Sequence, residues 1–141
     1  MRTVRDGDGR RYLLLKQSSD SSLVRDPETG DERHVPNDDL EPADGEGPLD
    51  ALASAVPEPA RRVVTACHDD WHLGLLVHLA DGGPLAAREL LGASDACESD
   101  LVGAVTELRA AGLVEEATVN GERGYRLTEL GSEGIEDLRG D

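Results

Sequence analysis

Hydrophobic residues follow two different patterns along the chain, and the change between them divides the sequence. In residues 1–40, short apolar runs such as Tyr12–Leu15 are separated by turns rich in Gly, Pro, Asp and Ser, which is typical of short strands. Two similar stretches, Val4–Arg10 and Val24–Gly30, each end a strand and enter a turn. The pattern predicts a small antiparallel β-meander of three or four strands over residues 1–40.

The next segments differ in composition from this predicted sheet. Residues 41–48 are dominated by acidic residues, Pro and Gly, which predicts a flexible, solvated linker. Leu49–Ala53 then predicts a short helix that stops before Pro57. Pro59 can open another helix, running to about His68, because Pro is tolerated in a first helical turn.

From Trp71 onward the apolar spacing predicts three helices and a hairpin. The helices cover Leu73–Ala80, Pro84–Leu91 and Glu98–Ala111. In the third helix, Leu101, Val105 and Leu108 recur at i, i+4 and i+7 and form one buried stripe. Ser94 or Asp95 is its predicted N-terminal cap.

A two-stranded hairpin is predicted after the third helix. Asn120-Gly121 joins two strand-like runs, and this pair is a strong hairpin signal because a type I′ turn needs positive φ at both central residues. Gly112 stands where a helix would end with positive φ. Thr128 is predicted to cap a closing helix that begins at Glu129.

Three helices followed by a hairpin resemble a winged helix-turn-helix domain, with its core at residues 71–138 of a helical segment 49–141. Three features are similar to PadR, MarR and ArsR-like transcriptional regulators: the third helix running into Ala111–Val114, the Asn120-Gly121 tip and the exit Tyr125–Gly131. The resemblance implies an α+β protein that regulates transcription and binds double-stranded DNA as a homodimer. From the residues themselves we expect no cofactor and no metal. The segment Leu49–His68 is the candidate dimer contact.

In those families the third helix enters the major groove, and the hairpin, called the wing, contacts phosphates or the minor groove. The resemblance implies the candidate DNA contacts Ser99, Gly103, Thr106, Arg109, Asn120, Arg123 and Arg126. The helix departs from the family pattern because Arg109 is its only base. Alternation places Arg123 and Arg126 on opposite faces of the hairpin. In an alternative interpretation both arginines only pair with Glu115, Glu116 and Glu122 across the hairpin.

The charge of the chain bears on this interface. The 141 residues include 30 Asp and Glu against 14 Lys and Arg, for a net charge of −16, which at first argues against nucleic acid. Lys16 is the only lysine. Such an acid-rich, lysine-poor chain resembles proteins of extreme halophiles, whose cytoplasm holds molar potassium chloride. The Debye length there is about 3 Å, so the net charge does not exclude DNA. A specific acidic function, such as mimicry of DNA, is the alternative.

The basic residues are concentrated near the N-terminus, since residues 1–40 hold half of them. A second candidate DNA contact, near the predicted first hairpin, consists of Arg2, Arg5, Arg10, Arg11 and Lys16. A β-ribbon of this kind can enter a groove of DNA. The alternative is a sheet that packs on the helical part or serves dimerisation.

Other kinds of chemistry have little support in the sequence. The chain contains no Gly-x-Ser-x-Gly, no phosphate-binding Gly-rich loop followed by Lys and no His-Glu-x-x-His, so we expect no enzyme. Cys67 and Cys97 are expected as reduced thiols in or near the core. His68 and His72 are expected to be half-exposed rather than metal ligands, and Trp71 to anchor the core or line an interface.

The surroundings of the protein are predicted from two further absences. No apolar run approaches the roughly 20 residues that a membrane span requires, and the sequence shows no export signal. We therefore expect a cytoplasmic protein without membrane contact. The alternative to a DNA-binding regulator is a protein-interaction module that docks a partner through its acidic third helix, because fold does not fix function.

Overall fold

The computed structural model of the protein describes residues 1–140 and contains two compact units, one from Met1 to Pro57 and one from Glu58 onward. The N-terminal unit is a five-stranded antiparallel sheet with the strand order β4-β3-β2-β1-β5, followed by a short helix. Its elements are β1 (Arg2–Arg5), β2 (Arg11–Gln17), β3 (Ser21–Arg25), β4 (Glu32–Pro36), β5 (Glu41–Pro42) and α1 (Pro48–Leu52).

Cross-strand pairing gives the N-terminal sheet an apolar face. Val4 lies opposite Tyr12, and Leu14 lies opposite Val24, so their side chains point to the same side of the pleat. These four residues and Val35 form a buried cluster. The predicted β-meander is therefore present, and it has one apolar side.

Residues 41–48, predicted to be a flexible linker, carry more structure than that. Glu41–Pro42 form the edge strand β5, and the amide of Ala43 continues the pairing with a 3.0 Å hydrogen bond to the carbonyl of Thr3. The boundary between the compact units falls after Pro57. A two-residue strand at a sheet edge needs no apolar pattern and tolerates Pro, so composition does not reveal it.

The C-terminal unit contains five helices and a three-stranded sheet with the strand order β6-β8-β7. Its elements are α2 (Glu58–Ala66), α3 (Asp70–Gly82), β6 (Leu85–Ala86), α4 (Ala87–Gly92), α5 (Glu98–Ala110), β7 (Val114–Val119), β8 (Glu122–Leu127) and α6 (Glu129–Arg139). From α3 to β8 the order is helix, strand, helix, helix and hairpin, which is the winged-helix arrangement. The predicted α+β fold class, with a winged helix after a small antiparallel sheet, is confirmed.

The core of the C-terminal unit contains the stripe predicted on the third helix. Leu101, Val105 and Leu108 of α5 are each at most 2% exposed. Burying a side chain of this size stabilises the fold by about 1.5–3 kcal/mol. The same core includes Leu76 of α3 and Ile135 of α6. Within residues 1–140, no helix combines the length and apolar character that crossing a bilayer demands.

The second helix of the winged helix begins later than predicted. It starts at Ala87 rather than Pro84, because Leu85–Ala86 form β6 and pair with Tyr125 and Gly124 of β8. A Cβ atom on Gly124 would lie 2.3 Å from the carbonyl oxygen of Leu85. The absence of a side chain at Gly124 therefore allows the third strand of this sheet to approach.

The turns around the wing follow the local rules of the sequence. Asn120 and Gly121 have φ values of 51° and 79°, and Gly112 has a φ of 79°, so these predictions are confirmed. The hydroxyl oxygen of Thr128 accepts a 3.1 Å hydrogen bond from the amide of Gly131, which is the predicted cap of the closing helix.

The predicted cap of the third helix is wrong. Cys97 is the N-terminal cap residue of α5, and no side chain accepts a cap hydrogen bond there. The hydroxyl oxygen of Ser94 instead accepts a 2.9 Å hydrogen bond from the amide of Ala96. Ser94 stabilises the turn before the helix, because three residues separate it from the first residue of α5.

Candidate nucleic-acid interface

The solvent face of α5 carries three small side chains that the sequence assigned to DNA contact. Ser99, Gly103 and Thr106 are all exposed, and a Cβ atom built on Gly103 would meet no atom within 4 Å. The hydroxyl of Thr106 donates to the carbonyl of Val102 at 2.7 Å, so it lies along its own helix. Along this line the backbone of α5 is covered by little side-chain volume.

Arg109, the only base of α5, is directed toward the wing. Its Nη1 lies 3.2 Å from Oε1 of Glu116 on β7, and Nη2 of Arg123 on β8 donates to the same oxygen at 2.7 Å. The hydrogen bond from Arg123, followed by the charges of Arg109 and Arg123, holds the pKa of Glu116 below its ordinary value. The same hydrogen bond is the largest cause that raises the pKa of Arg123. Glu116 therefore joins the third helix to the wing.

The second arginine of the wing is paired as well. Nε of Arg126 donates to Oε1 of Glu115 at 2.7 Å. The register sets Arg126 opposite Glu115 and Arg123 opposite Thr118, so the two arginines leave the strand on opposite faces. Both side chains nevertheless line one groove of about 570 Å³, beside the exposed tip residue Asn120. The arginine side chains are 69% and 54% exposed. In this structure both arginines are paired with glutamates of their own hairpin, as the alternative interpretation of the sequence had it.

A further arginine, which the sequence analysis missed, borders the wing. Arg88 of α4 binds Glu122 of β8 through two hydrogen bonds, 3.2 Å from Nε to Oε1 and 2.9 Å from Nη2 to Oε2. The hydrogen bond between them lowers the pKa of Glu122 and raises that of Arg88. The sequence could have indicated Arg88 as a surface residue near the interface, because it lies on the polar side of the helix that precedes the third helix.

A groove of about 650 Å³ lies beside the N-terminal half of α5. Nε2 of His68 lies 3.1 Å from Oε2 of Glu107, and Nδ1 of His72 lies 2.7 Å from Oδ1 of Asp69. The hydrogen bond with His72 is the main cause that lowers the pKa of Asp69. Trp71 lines the same groove and packs against the core, so it is both a core residue and part of a surface cleft.

The histidine and cysteine side chains do not form a ligand set. His68 and His72 lie on either side of a helix break, because α2 ends at Ala66 and α3 begins at Asp70. Among the described residues 1–140, no three His, Cys, Asp or Glu side chains are arranged to hold a metal ion. Cys67 is half-buried, and this burial raises its pKa, whereas Cys97 is exposed rather than in the core.

The second candidate contact lies on β1, β2 and the turn between them, and consists of Arg2, Arg5, Arg10, Arg11 and Lys16. Arg5 and Arg11 share one carboxylate. Nη2 of Arg5 binds Oε1 of Glu46, and Nη1 of Arg11 lies 3.5 Å from Oε2. The structure thus brings the five bases onto one hairpin, where two of them share the single negative charge of Glu46.

Comparisons with known proteins give one structural match and one family match. Among solved structures, the chain is similar to the crystal structure of an ArsR family transcriptional regulator, with 18% sequence identity and a TM-score of 0.45, over 60% of this chain and 87% of that chain. No curated protein matches it. A model of the family of unknown function DUF7346 matches residues 1–139, and so covers both compact units. The chain therefore belongs to the DUF7346 family.

Proposed function

We propose that the protein is a DNA-binding transcriptional regulator of the winged-helix type. The observation that carries this proposal is the solvent face of α5, where Ser99, Gly103 and Thr106 leave the helix backbone open to close approach. A helix of this fold contacts DNA by entering the major groove. Small side chains allow the helix to lie deep in that groove, where hydroxyl groups can reach either donors or acceptors of the bases.

The wing contributes the cations of the proposed interface. Arg123 and Arg126 are exposed, and surface ion pairs of this kind stabilise a fold by only about 0–1 kcal/mol. A phosphate group can accept two parallel hydrogen bonds from a guanidinium through two of its oxygens, and in a dehydrated interface these bonds are stronger than a solvent-exposed pair with a carboxylate. We therefore assign the two arginines to backbone phosphates in the complex.

The carboxylates Glu115 and Glu116 oppose this exchange, and salt decides how strongly. In dilute buffer they repel phosphates over a Debye length of about 10 Å, which falls to about 3 Å near 1 M salt. We place the protein in a high-salt cytoplasm, where this repulsion is screened and binding depends on shape and hydrogen bonds. The net charge of −16 supports that assignment.

Fluorescence anisotropy in roughly 2 M KCl with a pool of genomic DNA fragments tests the proposal. We expect binding, and Arg123→Ala/Arg126→Ala should weaken it by about tenfold, since the hydrogen bonds of two arginines to phosphates are lost. Arg25→Ala is the matched control, because Arg25 pairs with Glu32 across a hairpin of the N-terminal sheet. Full binding by the double variant, or no binding at any salt, would contradict the proposed wing contact.

The proposal includes a homodimer formed through α2 and α6. An apolar groove of about 500 Å³ is lined by Val64, Leu73 and Leu138, of which Val64 is 60% and Leu138 46% exposed. Asp70 and Arg139 also line this groove. A twofold interface needs a self-complementary patch, and a patch that carries both charge signs around an apolar centre can satisfy a second copy of itself.

Sedimentation in high KCl tests the dimer. The unaltered protein should have the mass of two chains, and Leu138→Glu should have the mass of one, because a carboxylate would be desolvated in the interface. Val102→Glu is the control, since Val102 is 52% exposed on α5 and does not line this groove. A monomeric unaltered protein would contradict the proposed dimer.

A protein-interaction module is the second candidate function. The observation that favours it is the 650 Å³ groove beside α5, which is lined by Trp71 and by the carboxylates of Asp69, Asp100 and Glu107. Acidic side chains around an aromatic ring fit a basic peptide, whose cations can pair with the carboxylates and lie on the ring. In the anisotropy experiment, this candidate predicts no DNA binding at any salt.

A further inference from the structure

Carboxylate pairing distinguishes three bases of the N-terminal hairpin from those around the wing. The guanidinium groups of Arg2 and Arg10 and the ammonium group of Lys16 have no carboxylate oxygen within 4.0 Å in the described part of the chain. The bases around the wing, in contrast, all have one, and these are Arg88, Arg109, Arg123 and Arg126. The cations that can bind an anion without first leaving a carboxylate partner are therefore on the β1–β2 hairpin.

Arg2 and Lys16 line one groove of about 290 Å³ at the end of this hairpin away from its turn. The groove is completed by Met1, Leu14, Leu15 and Gln17. The grooves at the wing, beside α5 and at the hairpin turn each contain Asp or Glu, whereas this one contains neither. In a chain with 30 acidic residues, a groove lined by two bases and no acid is a local exception.

The groove follows a stretch of β2 that β1 does not cover. Arg2 lies opposite Leu14, and β2 continues to Gln17. The register shift around Leu15 sets Gln17 opposite Ser22 and Lys16 opposite Leu23. Gln17 therefore shares the face of Arg2, and Lys16 lines the groove from the other side of β2. Oε1 of Gln17 accepts from Nη2 of Arg2 at 3.2 Å, which leaves the amide NH₂ of Gln17 and the ammonium group of Lys16 free as donors.

We propose that this groove, lined by Arg2, Lys16 and Gln17, binds a backbone phosphate of double-stranded DNA. A phosphodiester offers only acceptor oxygens, and the groove offers a guanidinium, an ammonium and an amide donor. Leu15, which is partly exposed, supplies apolar surface for the adjoining sugar. The inference rests on the DNA binding proposed for the winged helix, and it adds the N-terminal sheet to the contact.

The placement of the bases favours a polymer over a single phosphate ion. Two exposed cations hold a lone phosphate weakly in water, because solvent screens both charges. Arg10 and Arg11 lie at the other end of the same hairpin, five to six residues from Lys16, and strand residues rise about 3.3 Å each. The separation of roughly 17–20 Å is too long for one small ligand and can span separate phosphates of one duplex.

Because Lys16 is the only lysine, an amine-acetylation footprint reports on this groove alone among the lysine sites. Full-length protein in KCl is acetylated with and without saturating duplex DNA, and modification of Lys16 is followed by mass spectrometry. We expect DNA to slow acetylation by at least fivefold. In parallel, Arg2→Gln/Lys16→Gln should weaken duplex binding by about tenfold at roughly 0.3 M KCl, whereas Arg25→Gln should not.

The outcomes separate this inference from the proposed function. Duplex binding with unprotected Lys16 and unchanged affinity of the double variant would overturn the groove and leave the winged-helix contact standing. Protection by single-stranded RNA or heparin but not by duplex DNA would also overturn it, since the groove would then recognise another polyanion. Absence of duplex binding by the unaltered protein would overturn both.

Discussion

Two of the β-hairpins in this chain carry the basic side chains proposed to contact DNA, and they differ in what those side chains touch. Around the β7–β8 wing, Arg123 and Arg126 are bound to Glu116 and Glu115. On the β1–β2 hairpin, Arg2 and Lys16 lie in a groove without a carboxylate. The wing has the geometry expected for DNA contact, whereas the N-terminal hairpin has the free charge.

This difference shows that net charge is a poor guide to where an anion can bind. The chain has an excess of sixteen negative charges, yet the pairing of each base, rather than the total, sets the local field. A paired arginine must exchange one partner for another, and the carboxylate it leaves behind remains near the phosphate. An unpaired lysine meets neither cost.

The largest expected effect comes from disrupting the packing of β6 against the wing without changing the charge of the wing. Gly124→Val should lower the free energy of unfolding of the C-terminal unit by about 3 kcal/mol, because its Cβ atom would lie 2.3 Å from the carbonyl oxygen of Leu85. Urea denaturation in high KCl measures this. In the Gly124→Val variant, the contribution of the wing to DNA binding should fall more than the contribution of the N-terminal hairpin.

Gly103→Ala is the control for that substitution. Gly103 lies in α5 with open space around its Cβ position, so Ala should stabilise the helix by about 0.5–1 kcal/mol. A Gly124→Val protein as stable as the unaltered one would show that β6 does not pack on β8 as described.

The second prediction concerns a variant in which the arginines of the wing are unpaired, like Arg2 and Lys16 on the N-terminal hairpin. Glu115→Gln/Glu116→Gln removes both carboxylates that bind Arg123 and Arg126, so their charges become available to phosphates. We expect duplex affinity at roughly 0.3 M KCl to rise by about tenfold, measured by anisotropy. Glu133→Gln, on the exposed side of α6, removes one charge elsewhere and controls for net charge.

An unchanged affinity in the double glutamine variant would mean that the wing does not approach DNA. A rise that Glu133→Gln reproduces would assign the effect to net charge alone. Either result would remove the distinction between the paired and the unpaired hairpin.

The smallest expected effect is on the pH dependence of stability. Hydrogen bonding from Arg123 lowers the pKa of Glu116 in the folded chain. A carboxyl group whose pKa is lower in the folded state stabilises the fold at pH values above its pKa in the unfolded state. This stabilisation is lost as the pH falls through its pKa in the folded state. Glu116→Gln should therefore lose less stability than the unaltered protein between pH 6 and about pH 3.

Denaturation midpoints across that pH range, at fixed KCl, check the prediction. The same experiment on Glu133→Gln should reproduce the curve of the unaltered protein, because Glu133 makes no pair with the wing. A curve for Glu116→Gln that coincides with that of the unaltered protein would show that the Glu116 pairs do not persist in solution.

The elements that could be predicted from sequence depend on local rules. Asn120-Gly121 specifies its turn through positive φ, and the spacing of Leu101, Val105 and Leu108 specifies which face of α5 is buried. These signals lie within a few residues of the structure they determine. The winged helix was accordingly predictable from its own segment.

The elements that sequence could not predict depend on distant partners. Leu85–Ala86 become a strand only because Gly124 lies alongside, and the pairing of Arg88 with Glu122 requires the register of β8 to be known. The distinction between paired and unpaired bases is of this kind. Lys16 was one of five similar cations in the sequence, and only the structure separates it from Arg5 and Arg11.

The salt dependence of duplex affinity tests the central claim most directly. It is measured for the unaltered protein, for Arg123→Ala/Arg126→Ala and for Arg2→Gln/Lys16→Gln, from roughly 0.2 M to 2 M KCl. Each lost phosphate contact should reduce the slope of log affinity against log salt by about one, so both variants should have shallower slopes than the unaltered protein. Three identical slopes, or no binding across the whole range, would contradict DNA binding through the wing and the N-terminal hairpin.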